Sequence, residues 1–314
     1  MKIRISQDWL DNTSYEKEDY LVSAGCSYEI SESLLDKAQF LEAFLRTIHV
    51  KEMIRLNWVQ GFDAEQLIDS VWGLLKPRSN AELSATMFRG SMDFIQQDLF
   101  KQLSTRIWFN HAVDLANDID ICKFDSCSLD KDSIAELIQL SSEQSGPKKV
   151  NNWMKVRGIK FLIQQNLPGM SLDGATSMLD DGNPMIVVTL RYDRLDYFWF
   201  TLLHEIGHIV KHILTNPKEI FLDDLKEDSK LLDEKEAEAN SFARDSFIPR
   251  DIWKRSKAKR FCTEKAIIEL SEELKIHPSI VAGRLRYESN DYSIFSRLIH
   301  DSSLSLRELF FEDL

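Results

Sequence analysis

The stretch that decides the fold is Thr201-Leu-Leu-His-Glu-Ile-Gly-His-Ile-Val210, which places His-Glu-x-x-His inside an apolar run. This spacing is typical of zinc hydrolases. Four residues make slightly more than one helical turn, so a helix here stacks His204 and His208 on one face, where two imidazoles can bind one Zn²⁺. Glu205 leaves the helix about 100° away from His204, a position that suits a general base. The pattern therefore predicts a metal-binding helix.

Apolar residues on both sides of the motif predict that this helix is buried. They are Tyr197, Phe198, Trp199, Phe200, Leu202, Leu203, Ile206, Ile209, Val210 and Ile213. Two histidines and a glutamate inside such a helix are unfavourable unless they are paired or bind a metal; the alternative is a chance spacing in a core helix. Gly207 costs about 1 kcal/mol relative to alanine in a helix interior, so we expect another backbone to pack closely there.

A catalytic zinc site takes a third protein ligand from elsewhere in the chain. His212 cannot converge with both motif histidines along one straight helix, so it either contacts a metal ligand from behind or lies at a solvated helix end. Glu234, Glu236 and Glu238 lie on the next predicted helix. Helical spacing groups Glu236 with a small, partly apolar face formed by Ala239, Asn240, Ala243 and Phe247. This favours Glu236 only modestly, because charged runs are commonly solvated surfaces.

His-Glu-Ile-Gly-His is followed by Glu236-Ala-Glu-Ala-Asn-Ser-Phe-Ala243 and then by Phe247-Ile-Pro249. Together these segments resemble the ImmA/IrrE metallopeptidase family, in the versions fused to helix-turn-helix regulators and HigA-like antitoxins. Similar segments extend the resemblance over roughly residues 50 to 290: Asp173–Thr176, Pro184–Arg191, Asp196–Thr201 and His277–Arg284. In that family the first glutamate of the second segment is the third metal ligand, which implies Glu236 here.

The resemblance implies a cytoplasmic, gluzincin-like zinc endopeptidase, with Zn²⁺ and no other cofactor. Its substrate would be a specific protein, a repressor or antitoxin, cut in a stress, mobile-element or phage response. The alternative is an antitoxin-like or scaffolding protein that binds a toxin or regulator without turnover. Tyr192 and Tyr197 flank the motif helix, and either phenol can stabilise an oxyanion, although core packing is the favoured role for Tyr197.

Composition limits the other function classes. The chain has 314 residues and a net charge of −12, which argues against a protein that coats nucleic acid. Residues 1–50 show no helix-turn-helix pattern, so direct nucleic-acid binding is not expected, although a nucleic-acid activator is compatible. The start lacks the apolar core of a signal peptide, and the chain has no stretch of 18 apolar residues, so no membrane association is expected. Four scattered cysteines are typical of reduced thiols in the cytosol.

The predicted fold class is α+β, predominantly helical, with a small β-sheet packed beside the motif helix as in zincin metallopeptidases. Residues 1–145 are interpreted as a helical regulatory or partner-binding region, in which Trp58, Trp72 and Trp108 anchor the core. Residues 146–314 form the peptidase domain. The polar segment 141–149 is the candidate linker between them.

Three further elements are predicted inside the peptidase domain. Trp153–Gln165 reads as a helix. Thr176–Leu179 and Met185–Leu190 read as strands joined across the turn Asp180–Pro184. The strand at 185–190 directly precedes the motif helix, and we expect an extended substrate to bind beside it by strand addition.

Overall fold

The computed structural model describes residues 49–61, 64–75, 95–223, 234–300 and 305–311. In this part of the chain the fold is α+β: helices predominate, and four strands form one mixed sheet. This confirms the predicted fold class. The predictions for residues 1–48 lie outside the described residues. No helix within the described ranges is both long and apolar enough to cross a lipid bilayer.

The described residues fall into two compact units. The first contains α1 (Val50–Arg55), α2 (Ala64–Leu75) and most of α3 (Ile95–Asn117), together with residues 166–170. The helical character predicted for residues 1–145 is found where the structure describes them.

Two of the three predicted tryptophan anchors are described in this first unit. Trp108 is fully buried in its core. Trp58 is half-buried and stacks on the imidazole of His111, with 4.4 Å between ring centroids. The side chain of Trp72 lies outside the described set.

The second unit contains the motif helix and the sheet. Its helices are α4 (Lys131–Leu140), α5 (Gly146–Lys155), α6 (Leu195–His208), α7 (Glu234–Phe247), α8 (Arg250–Arg255), α9 (Lys257–Phe261), α10 (Glu264–Leu274), α11 (Pro278–Ser289), α12 (Ser296–Ile299) and α13 (Leu306–Phe311). Its strands are β1 (Lys160–Ile163), β2 (Gly174–Met178), β3 (Pro184–Val188) and β4 (Ile220–Asp223).

The strand order in the sheet is β1-β3-β2-β4. β3 runs parallel to β1 and antiparallel to β2, and β2 pairs on its other side with β4, also antiparallel. The predicted hairpin between the second and third strands is therefore confirmed. The expectation that a peptide adds beside the strand at 185–190 is wrong, because β3 is central and both of its edges are already paired.

The helix predicted over Trp153–Gln165 is also wrong. Helix α5 ends at Lys155, and β1 begins at Lys160. Between them the backbone of Gly158 has a φ of +73°, and a Cβ there would lie 2.5 Å from the Cα of Phe124. The left-handed conformation and the close approach both require glycine, so this residue ends the helix.

The polar segment 141–149 is a tight connection between two helices that pack in the same unit. Helix α4 ends at Leu140 and α5 already begins at Gly146. Ile134, Leu137 and Ile138 of α4 belong to the same hydrophobic core as the motif helix. The unit that holds the site consequently begins upstream of the expected boundary at residue 146, near Leu115.

Candidate metal centre

The motif helix α6 is one of the most deeply buried elements of the second unit. It packs against β2, β3, α7 and α11. His204, Glu205 and His208 are all 0% exposed. The Nε2 atoms of the two histidines lie 2.9 Å apart, so the one-turn spacing directs both imidazoles to the same point.

Helix α7 approaches α6 closely, and this approach brings Glu236 to the histidines. A Cβ added to Gly207 would lie only 3.2 Å from the Cα of Ala239 on α7. This is the close backbone packing predicted for Gly207. The Oε2 atom of Glu236 lies 3.2 Å from His204 Nε2, and its Oε1 lies 3.5 Å from His208 Nε2. Of the three candidate glutamates, Glu236 is the one that faces the imidazole pair.

A fourth residue, Asp223 at the end of β4, joins the group. Its carboxylate oxygen Oδ2 lies 3.0 Å from His204 Nε2 and 3.2 Å from His208 Nε2, and its side chain is 2% exposed. One ligand atom from each of His204, His208, Asp223 and Glu236 lies within 4.8 Å of the others. Asp223 was not among the residues that the sequence motifs indicated. The alternation Phe-Leu-Asp, with the aspartate on the inward face of a strand, was the available signal.

The charges of this group perturb one another strongly. Burial lowers the pKa of His204, but the neighbouring carboxylates, Asp223 first, together raise it more, so its pKa lies well above the ordinary value. Burial raises the pKa of Asp223, but His204 and His208 lower it more, so its pKa lies far below the ordinary value. Burial, and then the negative charge of Asp223, raise the pKa of Glu205.

These residues fit a divalent cation. Glu205, Asp223 and Glu236 place three carboxyl groups beside two imidazoles, and buried charge of one sign is unfavourable by several kcal/mol per ion unless it is compensated. The Oδ2 atom of Asp223 is buried without a hydrogen-bond partner, although two imidazole nitrogens lie about 3 Å away. These oxygen and nitrogen atoms are close together but not aligned for hydrogen bonds with one another. Such an arrangement is expected of metal ligands that all point at one ion. Two imidazoles and two carboxylates are a donor set that suits zinc.

Glu205 lies beside this group and is held by β2. The hydroxyl of Thr176 donates a short hydrogen bond to its Oε2 atom. The other oxygen, Oε1, occupies the space where a side chain of residue 174 would be, since a Cβ on Gly174 would lie 1.9 Å from it. The Glu205 carboxylate is thereby fixed next to the four converging ligand atoms of the candidate metal centre.

Side chains behind the histidines fix the orientation of their rings. The Nδ1 atom of His204 lies 3.2 Å from Oδ1 of Asn240 on α7. The Nδ1 atom of His208 lies 3.1 Å from Nδ1 of His212, whose Nε2 lies 3.0 Å from Oε2 of Glu238. His212 therefore takes the first of its two predicted positions, in contact with a candidate ligand from behind. Such outer contacts set the tautomer and basicity of metal-binding histidines.

Tyr192, which precedes the motif helix, packs against Tyr197 in the first turn of that helix, with 4.7 Å between ring centroids. Burial, followed by the nearby Asp173 carboxylate, raises the pKa of Tyr197, which therefore stays neutral. Neither phenol belongs to the four-residue group described above. A role for Tyr192 in oxyanion stabilisation stays a prediction.

No model of a known protein family matches the sequence. No curated protein matches it either. Membership of the ImmA/IrrE family stays a prediction from the sequence motifs. The geometry by itself defines a candidate metal site: a buried group of two imidazoles and two carboxylates that could hold a metal ion, with a third carboxylate beside it.

Proposed function

We propose that this protein is a zinc-dependent endopeptidase. The observation that carries the proposal is the position of Glu205. Its carboxylate is held by Thr176 beside the converging ligand atoms of His204, His208 and Glu236, where it is available for proton transfer. A purely structural metal site has no use for a buried carboxylate in that position, which adds negative charge without a ligand role.

In this mechanism His204, His208 and Glu236 would hold the Zn²⁺. When bound, Zn²⁺ supplies Lewis acidity that polarises a peptide carbonyl and makes water more acidic. Glu205 accepts the proton of the attacking water and returns it to the leaving amine. Its raised pKa, caused by burial, makes the protonated form accessible, and a group that must both take and give a proton needs both forms.

The proposed substrate is a specific protein, a repressor or antitoxin, cut in a stress, mobile-element or phage response in the cytoplasm. The resemblance of the motifs to the ImmA/IrrE family supports this choice. Regulated cleavage of one target also agrees with the long region upstream of Leu115, most of which lies outside the unit that holds the site. We propose that this region is regulatory or binds a partner.

The test is co-expression of the full chain with each protein encoded beside its gene, followed by mass-spectrometric mapping of new termini. The matched control is Glu205→Gln, which replaces the carboxylate by an amide of nearly equal volume. We expect cleavage of one neighbour by the wild type and a loss of about 10²–10⁴-fold in rate in the variant. Equal cleavage by both proteins would refute the mechanism.

A second function is favoured by one observation. The side chains of His204, Glu205 and His208 are all 0% exposed in this conformation, so a substrate does not reach them directly. This agrees with an antitoxin-like or scaffolding protein that binds a toxin or regulator without turnover. A stable stoichiometric complex with a neighbouring protein, with no cleavage of any neighbour under DNA damage or phage challenge, would favour it.

A further inference from the structure

Strand β4 occupies the outer edge of β2, the strand that holds Glu205. The two strands are antiparallel, with Ser177 opposite Ile220 and Gly174 opposite Asp223. The backbone N–H of Asp173 continues the pairing by donating to the carbonyl of Asp223 at 2.7 Å. An extended peptide that adds to the sheet next to Glu205 needs these same main-chain groups of β2. β4 therefore takes the place of such a peptide.

The side chains of β4 also cover the ligand atoms. Successive residues of a strand point to opposite faces, so Phe221 and Asp223 point together into the site. The Phe221 ring stacks on the imidazole of His208, with 4.0 Å between centroids and 20° between planes. The Oδ2 atom of Asp223 lies 3.0 Å from His204 Nε2 and 3.2 Å from His208 Nε2. One short strand thus blocks both the peptide edge and the metal donors.

Four protein donors have a consequence for catalysis. Catalytic zinc sites have three protein ligands and keep one position open for water or substrate, whereas four protein ligands are the mark of a closed, structural site. His204, His208 and Glu236 already supply three. With Asp223 as a fourth donor, the group has the composition of a closed, structural site. Glu205, a proposed catalytic base, nevertheless lies beside it.

We propose that β4 is an intramolecular inhibitory strand. With a metal ion bound, Asp223 would fill the coordination position that catalysis requires. The backbone of β4 occupies the edge of β2 to which a peptide would add. A protein substrate gains access when it displaces β4 and forms the same main-chain hydrogen bonds in its place. The inference rests on the proposed function, because it describes how access to that same site is controlled.

Such an exchange is energetically feasible. β4 has four residues and pairs with β2 on one side. A substrate strand replaces the main-chain hydrogen bonds of β4 one for one, so the exchange leaves their number unchanged.

The experiment measures access to the metal without any peptide substrate. The full-length protein is loaded with Co²⁺ and titrated with acetohydroxamic acid, which binds a metal through two oxygens, and the visible spectrum reports binding. We expect Asp223→Ala to retain Co²⁺ and to bind acetohydroxamate at least about tenfold more tightly than the wild type, since a ligand position becomes free. Leu222→Ala is the matched control on the same strand, because the side chain of Leu222 points away from the site. The affinity of this variant for acetohydroxamate should equal that of the wild type.

Two results would overturn the proposal. One is an equal affinity for acetohydroxamate in the wild type and in Asp223→Ala. The other is loss of Co²⁺ from a folded Asp223→Ala protein, which would make Asp223 an obligatory ligand of a structural site. Asp223→Asn keeps the side-chain volume and should preserve strand β4, so it replaces the alanine variant if that variant does not fold. We expect it to bind acetohydroxamate more tightly than the wild type.

The two proposals fail in different ways. If β4 does not inhibit, the wild type binds acetohydroxamate with the same affinity as Asp223→Ala. Any cleavage of a neighbouring protein is then also equally fast in both. If the peptidase function is wrong, opening the site with Asp223→Ala exposes the metal to acetohydroxamate but yields no cleavage that depends on Glu205.

Discussion

The Cα of Ala239 on α7 lies so close to Gly207 on α6 that a Cβ on the glycine would stand 3.2 Å from it. Ala239 is fully buried at this crossing, and Glu236 lies one turn before it on the same face of α7. The small residues at the crossing thereby set how closely the Glu236 carboxylate approaches His204. The geometry of the candidate metal centre depends on a backbone contact that involves no ligand.

Gly207→Ala tests this dependence. We expect the added methyl group to push α7 away from α6 and to weaken metal binding, with an overpacking cost of roughly 1–3 kcal/mol that exceeds the gain in helix propensity of about 1 kcal/mol. Metal titration and thermal unfolding measure the two effects. Gly73→Ala on α2 is the control, because a Cβ there meets no atom within 4 Å. It should raise stability by about 0.5–1 kcal/mol and leave metal binding unchanged.

Metal stoichiometry tests the ligand set. Elemental analysis of the purified protein should find about one Zn²⁺ per chain. His204→Ala and Glu236→Ala should each lose most of it, because each removes one of the three proposed permanent ligands, whereas Asp223 is the displaceable fourth donor. Glu234→Ala should retain it, since that side chain is exposed and does not belong to the four-residue group. Full retention of zinc in Glu236→Ala would contradict the assignment.

The contact between His212 and Glu238 offers a test of the outer support of His208. Removing the imidazole in His212→Ala should weaken metal affinity by about 10–100-fold, because the orientation and basicity of the His208 ring are no longer fixed. Glu238→Gln keeps a hydrogen-bonding group and should have a smaller effect. Competition with a chelator measures both affinities. An affinity equal to the wild type in His212→Ala would show that the contact has no role in metal binding.

Thr176→Val tests the support of Glu205. The valine keeps the volume but removes the hydroxyl that donates to Glu205, and this bond lowers the pKa of that carboxyl. Loss of the bond should raise the pKa of Glu205, so the acidic limb of the rate profile should move to higher pH. We expect about a fivefold fall in rate, from roughly 1 kcal/mol of lost stabilisation, with unchanged metal content.

Thr176→Ser is the matched control, since it keeps the hydroxyl. Its pH profile should match that of the wild type. If valine and serine at this position give the same profile, the hydroxyl has no influence on the base.

Local spacing in the sequence was sufficient for the pieces of the site that lie on single helices. The i, i+4 pair of histidines and the small face behind Glu236 follow from 3.6 residues per turn. The hairpin of β2 and β3 could also be predicted, because its turn residues and β-branched run are contiguous. The helix predicted across Gly158 was wrong, since the approach of Phe124 from a distant segment decides where α5 ends.

Only the tertiary structure identified Asp223 as part of the site. Its carboxylate reaches the histidines because β4 pairs with β2, whose residues precede it by more than forty positions, and strand pairing between distant segments leaves no periodic signal in the sequence. The pairing of β3 with both β1 and β2 leaves it no free edge for a substrate. The sheet also places Gly174 and Thr176 of β2 beside Glu205. The sequence by itself determined which side chains can bind a metal from one helix; the sheet decided which others reach it, because hydrogen bonds between strands bring together residues that no local spacing relates.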